Sequence, residues 1–181
     1  MFKIFLLFSF MFTLAQADIY QKFATYLHAK DYKHACRTGS RIVYSGEKDE
    51  KLLSVIAQTC LKSDSINMVS LIQGKLRQTQ KSRTNAVVLA SIALQKKLIY
   101  QFMYDGVDIS TLALPVTEHP LSYAFTAIRD GKFELLSKQP KIIGFKKADL
   151  DYKVFIDKKD RGRVIIEIED SHGNKQRRRY L

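Results

Sequence analysis

The 181-residue sequence contains no tryptophan, only two cysteines, three prolines and eight glycines. Its aromatic residues, phenylalanine and tyrosine, recur mainly at helical core spacing and offer no clear platform for stacking on carbohydrate. The few glycines form no phosphate-binding loop, and no serine or cysteine has the Gly-x-Ser-x-Gly context of a nucleophile. There is no Cys-x-x-Cys pair, and no histidine lies at ligand spacing from a cysteine. The sequence therefore predicts no catalytic residue, no cofactor and no metal.

The first 17 residues have the three parts of a secretory signal peptide. Lys3 supplies a positive charge, residues 4–14 are predominantly apolar, and residues 15–17 read Ala-Gln-Ala, a small-residue cleavage site. The apolar run of about 11 residues is shorter than the ~20 that a membrane-spanning helix needs. The alternative is an uncleaved anchor helix. The sequence predicts a mature chain that begins at Asp18 and is periplasmic or secreted.

Cys36 and Cys60 are predicted to form a structural disulfide, because thiols pair by default in an oxidising compartment. Ser45-Gly46 is a helix stop signal, and Asp49 suits the cap of a following helix. The midpoint of the two cysteines is residue 48, so two antiparallel helices that fold back there hold both sulfurs at the same height. A redox pair or a pair of metal ligands is the less favoured alternative.

Apolar residues recur with a helical period from residue 18 to about residue 139. The pattern predicts successive helix pairs, including one pair at 82–94 and 98–103 and a last pair at 121–128 and 133–136. Alanines mark these pairs at intervals of 33 or 34 residues, and the first two are followed seven residues later by an aspartate that is predicted to turn the chain and cap the next helix. The alanines are Ala24, Ala57, Ala90 and Ala124, and the aspartates are Asp31 and Asp64.

The repeat resembles the tetratricopeptide class of helical-repeat proteins over residues 18–137. The best-matching stretch, residues 24–35, reads Ala-Thr-Tyr-Leu-His-Ala-Lys-Asp-Tyr-Lys-His-Ala, whereas Lys97-Leu98 stands in the third unit where the family has Asp-Tyr. The resemblance implies a right-handed solenoid of antiparallel helix pairs whose concave groove binds a peptide or protein segment. The alternative architecture is an irregular helical bundle.

After residue 139 the pattern changes to β-strands. Strands are predicted at 152–157, 163–169 and 175–181, with a short fourth at 142–145, and a fold near residue 172 is expected to place Glu167 opposite Arg178. The predicted fold class is therefore mainly α, with a helical-repeat domain at 18–139 and a β-rich extension at 140–181. This small antiparallel meander needs a helix or a partner to pack against.

The chain is strongly basic, with a formal net charge of +12 that falls to +11 when Lys3 is removed with the signal peptide. For an exported protein the anionic partners are phospholipid headgroups, acidic glycans and acidic proteins, and nucleic acid ranks below them. The densest positive cluster is Arg177, Arg178 and Arg179. It is predicted to contact an anionic surface or a partner strand, or to serve only as a charged edge strand.

These features predict an exported, non-catalytic interaction or scaffold protein of a bacterial-type cell envelope. It is expected to bind a protein partner in the helical groove, with Tyr20, Lys22 and Tyr26 as the first candidates for contact. One alternative is a cell-wall-associated enzyme or enzyme accessory, whose carboxylates would be Glu118, Glu167 and Glu169. The other is a basic peripheral binder of anionic envelope surfaces, such as glycan or membrane.

Overall fold

The computed structural model describes residues 18–159 and 162–180, so the predicted signal peptide lies outside the described residues. This part of the chain holds six helices followed by five strands. The elements are α1 18–28, α2 Tyr32–Tyr44, α3 Glu50–Lys62, α4 Ile66–Gln73, α5 Gln80–Tyr104, α6 Pro120–Arg129, β1 Glu134–Lys138, β2 Lys141–Lys147, β3 Leu150–Asp157, β4 Arg163–Asp170 and β5 Lys175–Tyr180.

The chain divides into two compact units, one ending at Arg83 and the other beginning at Thr84. We call them the helical unit and the mixed unit. Most of α5 and all of α6 thus belong with the strands. The boundary that we predicted, at residue 139, falls between β1 and β2, inside the sheet. The helices α5 and α6 group with the strands because one face of a sheet needs apolar helix surface to cover it.

The helical unit contains two hairpins, α1/α2 and α3/α4, and the turn within each hairpin has the same conformation. At Lys30 and Asp64 the backbone is left-handed, with φ of 56° and 62°. The amide that follows each of them donates to the carbonyl oxygen five residues earlier, at 2.9 Å in both turns. This is the Schellman motif, and its 34-residue spacing matches the period seen in the sequence. Asp31 caps α2 as predicted, whereas the cap of α4 is Ser65 rather than Asp64.

The predicted helical-repeat solenoid is not confirmed. The same turn recurs at Gly131, where φ is 64° and the Lys132 amide donates to the Ala127 carbonyl oxygen at 2.8 Å. There the chain enters β1 instead of the helix predicted at 133–136. Helix α5 continues through Lys97-Leu98, where the third pair was predicted to turn. No residue there stops a helix, because both lysine and leucine are good helix formers.

The repeated alanines do not occupy equivalent positions. Ala24 is exposed, whereas Ala57 and Ala124 are fully buried. Their spacing therefore does not mark one repeated helix–helix contact.

Helices α2 and α3 are joined by the predicted disulfide and pack closely beside it. Cys36 and Cys60 are bonded, with their Cα atoms 4.7 Å apart. One turn from Cys36, Gly39 faces two other helices, and a Cβ atom there would lie 2.7 Å from Ile56 Cγ2 and 3.1 Å from Phe23 Cε2. Glycine is thus required for the approach of α1 and α3 to α2. The disulfide is compatible with an oxidising compartment.

Glu50, in the first turn of α3, holds the segment that joins α4 to α5. Its Oε1 atom accepts the backbone N–H groups of Arg77 at 2.6 Å and Gln78 at 2.9 Å, and the residue is 7% exposed. The Arg77 amide, followed by the Ser82 hydroxyl, lowers the pKa of this carboxyl from 4.5 to about 2. The ionised form therefore stabilises the fold.

Substitution of Glu50 by glutamine is expected to lower the stability of the helical unit in a pH-dependent way. The folded pKa lies below the unfolded one, so the contribution of the carboxylate is complete above pH 4.5 and is lost as the pH falls toward 2. Urea midpoints of wild type and Glu50→Gln should therefore differ at pH 7 and converge near pH 2. A difference that stays constant over this range would contradict the assignment.

The mixed unit contains a five-stranded antiparallel meander in the order β1-β2-β3-β4-β5. The four predicted strands are present, and β1 is an additional one. In the described chain β1 and β5 are the two edges of the sheet. Alternate residues point to a buried inner face, which is predominantly apolar, and to an outer face that carries most of the charges. The inner face carries Ile143, Phe145, Tyr152, Val154, Ile156, Val164, Ile166, Ile168 and Tyr180.

The register of β4 and β5 differs by one residue from our prediction. Glu167 lies opposite Arg177, and Arg178 lies opposite Ile166. The hairpin is centred on residue 172 as predicted, since the Asp170 amide donates to the Asn174 carbonyl oxygen at 3.1 Å, and a hairpin centred there pairs residue 167 with residue 177. A shift of one residue moves a side chain to the other face of a sheet, so Arg178 does not join the outer-face charges.

Among the described helices, α5 has the length and the apolar composition that a helix needs to cross a membrane. A packed core helix meets the same criteria. Gln95, in its middle, is fully buried and donates through Nε2 to the Pro115 carbonyl oxygen at 2.9 Å. Ser122 Oγ of α6 donates to Gln95 Oε1 at 2.6 Å. These bonds connect α5 to α6 and to the segment between them.

Candidate anion-binding site

The three groove candidates on α1 do not form a single patch. Tyr20 donates its hydroxyl to Glu47 Oε2 at 2.8 Å, and this hydrogen bond raises the pKa of the phenol. Lys22 and Tyr26 are four residues apart and share a helix face, but Tyr20 lies on another side of α1. Lys22 forms an ion pair with a neighbouring carboxylate, and Tyr26 stacks on His34.

The arginines near the C-terminus are divided between the two faces of the sheet. Arg177 and Arg179 lie on the outer face, whereas Arg178 lies on the inner one. Arg177 is paired with two carboxylates, at 3.3 Å from Asp157 Oδ2 and 3.6 Å from Glu167 Oε1. The run of arginines therefore provides less concentrated positive charge than the sequence indicates.

Of the carboxylates of the enzyme hypothesis, Glu167 and Glu169 line one groove on the outer face of the sheet, whereas Glu118 does not line it. Glu118 is exposed on the segment before α6. Glu167 and Glu169 lie on the outer face, where Lys153 and Arg177 pair with the first and Lys175 pairs with the second at 3.2 Å. The described residues also include no group of three or more histidine, cysteine, aspartate or glutamate side chains that could hold a metal ion.

A groove across the outer face has no preference for one sign of charge. Its lining includes four lysines and four carboxylates. The lysines are Lys132, Lys146, Lys153 and Lys175, and the carboxylates are Glu134, Asp151, Glu167 and Glu169.

A second cleft, of about 990 Å³, has a strong excess of positive charge. It lies at the end of the sheet where the β1–β2 and β3–β4 turns meet the C-terminal end of α5. The part of its lining that the structure describes includes four lysines and one carboxylate, Asp157, which is paired with Arg177. Tyr104 and Phe155 contribute aromatic surface. The lysines are Lys138, Lys141, Lys158 and Lys159, and we call this site the lysine cleft.

The lysines of the cleft differ in how freely they present their charge. Lys141 donates through Nζ to the Phe102 carbonyl oxygen at 2.9 Å and lies 3.6 Å from the centroid of the Phe102 ring. Partial burial lowers the pKa of Lys141. Lys158 lies 5.5 Å from the centroid of the Tyr104 ring, and the side chains of Lys138, Lys158 and Lys159 are exposed. The three exposed lysines are therefore the ones able to meet an anion.

Sequence reasoning missed this site. Lys158 and Lys159 were assigned to a polar turn, and Lys138 was placed at the end of the helical domain. In an antiparallel meander, alternate turns lie at the same end of the sheet, so the β1–β2 and β3–β4 turns come together. The signal available in the sequence was the presence of lysines on both sides of the β1–β2 turn and in the β3–β4 turn.

Comparison of the chain with protein-family models, with curated proteins and with solved structures gives no match. The resemblance to tetratricopeptide proteins over residues 18–137 therefore has no support from these comparisons.

Proposed function

We propose that this is an exported, non-catalytic protein of the cell envelope that binds anionic surfaces through the lysine cleft. The observation that carries the proposal is that, among the described residues, four lysines converge on one cleft beside one carboxylate, which is already paired. Electrostatic attraction of this kind does not need a catalytic group. The attraction at the cleft adds to the one that the net positive charge of the whole chain exerts on an anionic surface. The signal-like first 17 residues and the disulfide support a location outside the cytoplasm.

The other two hypotheses from the sequence have weaker support. A protein partner in a helical groove would need Tyr20, Lys22 and Tyr26 on one surface, and Tyr20 lies on another side of α1 from the other two. A cell-wall enzyme would need two carboxylates across a cleft, and Glu167 and Glu169 are each paired with basic side chains.

Neutralising Lys158 and Lys159 is expected to weaken binding to an immobilised polyanion such as heparin. Each cation near an anionic surface contributes about 1 kcal/mol, so the variant Lys158→Gln/Lys159→Gln should bind about 30-fold more weakly. Elution from heparin along a sodium chloride gradient measures the effect, and wild type should elute at the higher salt concentration.

The matched control is Lys48→Gln/Lys51→Gln in the helical unit. Both of these lysines are exposed, and the substitutions remove the same net charge. If the control elutes together with the cleft variant, retention follows net charge and the lysine cleft is not the binding site.

A further inference from the structure

Exposed apolar side chains occur at the end of α5 beside the lysine cleft and on the segment that follows α5. Tyr104 is 55% exposed and Val107 is 41% exposed, and further along the same 105–119 segment Leu112 and Val116 are 37% and 56% exposed. Single exposed apolar residues are ordinary on protein surfaces. Tyr104, at the end of α5, and the three residues in the segment that follows it together indicate a surface that is covered by something apolar.

Tyr104 joins the apolar and the cationic side chains. It stacks on Tyr100, with ring centroids 5.4 Å apart, and Lys158 lies over its ring. The Val107 amide donates to the Gln101 carbonyl oxygen at 3.3 Å, which holds Val107 against the C-terminal end of α5, next to Tyr104. Apolar, aromatic and lysine side chains thus occur together at this end of the mixed unit.

Two aspartates in the same segment do not cancel this charge. Asp108 accepts the backbone N–H and the hydroxyl of Ser110, at 2.9 Å and 3.0 Å, so it is directed into its own turn. Asp105 is exposed, but its single negative charge is smaller than the combined positive charge of the three exposed lysines of the cleft.

We infer that this end of the mixed unit docks on an anionic phospholipid bilayer. The inference builds on the proposed function and identifies the anionic surface. Lysines meet the lipid phosphates while tyrosine and the aliphatic side chains enter the headgroup region, which is how interfacial proteins combine the two kinds of contact. A soluble anionic glycan would use the lysines but would leave Val107 and its apolar neighbours in water.

The absence of tryptophan from the chain allows a direct test. In the variant Val107→Trp the single indole reports on its own surroundings. We expect its emission to shift to shorter wavelength with vesicles of phosphatidylcholine and phosphatidylglycerol, and to stay unchanged with phosphatidylcholine alone. The matched control is Val55→Trp in the helical unit, since Val55 is 42% exposed, and its emission should not respond to either vesicle.

A second variant separates the apolar contribution from the charges. Val107→Asp should weaken association with the anionic vesicles roughly tenfold, because an apolar contact with lipid is replaced by a charge. Its retention on heparin should change much less than that of Lys158→Gln/Lys159→Gln.

The possible outcomes distinguish the two proposals. If Val107→Trp does not respond to anionic vesicles while heparin retention still depends on Lys158 and Lys159, membrane docking is wrong and binding of a soluble polyanion remains. If heparin retention does not depend on those lysines, the proposed function fails. A response of Val55→Trp equal to that of Val107→Trp would also overturn the inference, because contact would then not be confined to this surface.

Discussion

Replacing Cys36 and Cys60 with alanine is expected to lower the free energy of unfolding of the helical unit by about 3 kcal/mol. The disulfide closes a loop across a sequence separation of 24 residues, and its removal gives the unfolded chain more conformations. Both cysteines are buried between α2 and α3, so the substitutions also remove packed sulfur atoms from this contact.

Hydrogen exchange of α2 and α3 amides is the suitable measurement, because a chain with two compact units need not unfold in a single transition. Dithiothreitol provides the control. It should bring wild type close to the level of Cys36→Ala/Cys60→Ala and leave the variant unchanged. Equal protection in oxidised and reduced wild type would show that the disulfide does not stabilise the unit.

Substitution of Phe125 by alanine is expected to destabilise the mixed unit by about 3–5 kcal/mol. Phe125 lies on α6 and is fully buried, so truncation leaves a cavity in the core of the mixed unit that neighbouring side chains fill only in part. The expected result is faster exchange of the amides of β2, β3 and β4, together with a lower melting temperature.

Two further variants test whether α6 is part of the core of the sheet. Phe125→Leu fills most of the space and should cost less than about 1.5 kcal/mol. Leu136→Ala, at a side chain that is 54% exposed, should change stability by no more than about 0.5 kcal/mol. If Phe125→Ala behaves like Leu136→Ala, the sheet does not depend on this helix.

Local signals in the sequence predicted much of the architecture. The stop at Ser45-Gly46 and the cap at Asp49 placed the turn between α2 and α3, and that turn brought Cys36 and Cys60 together. Runs rich in β-branched and aromatic residues predicted β3 and β4, and the turn signal at 170–174 predicted the return of the chain as β5. These features depend on residues close in sequence, for which turn and cap chemistry is decisive.

Other elements required information that a local pattern does not carry. The spacing of the apolar residues in 133–136 is compatible with both a helix and a short strand. The segment forms a strand because it pairs with β2. Lys97-Leu98 matched the position of a repeat turn but lacks any residue that ends a helix. The lysine cleft depends on which turns share one end of the sheet, and that follows from strand order.

The strand order described above also bears on how quickly the mixed unit folds. Every strand pairs with its neighbour in sequence, and the connections are short, from residues 139–140 between β1 and β2 to residues 158–162 between β3 and β4. Closing a short loop loses little chain entropy, and a low average separation between contacting residues is associated with rapid folding. The sheet can therefore grow from any one hairpin, which shortens the time that its apolar inner face spends exposed.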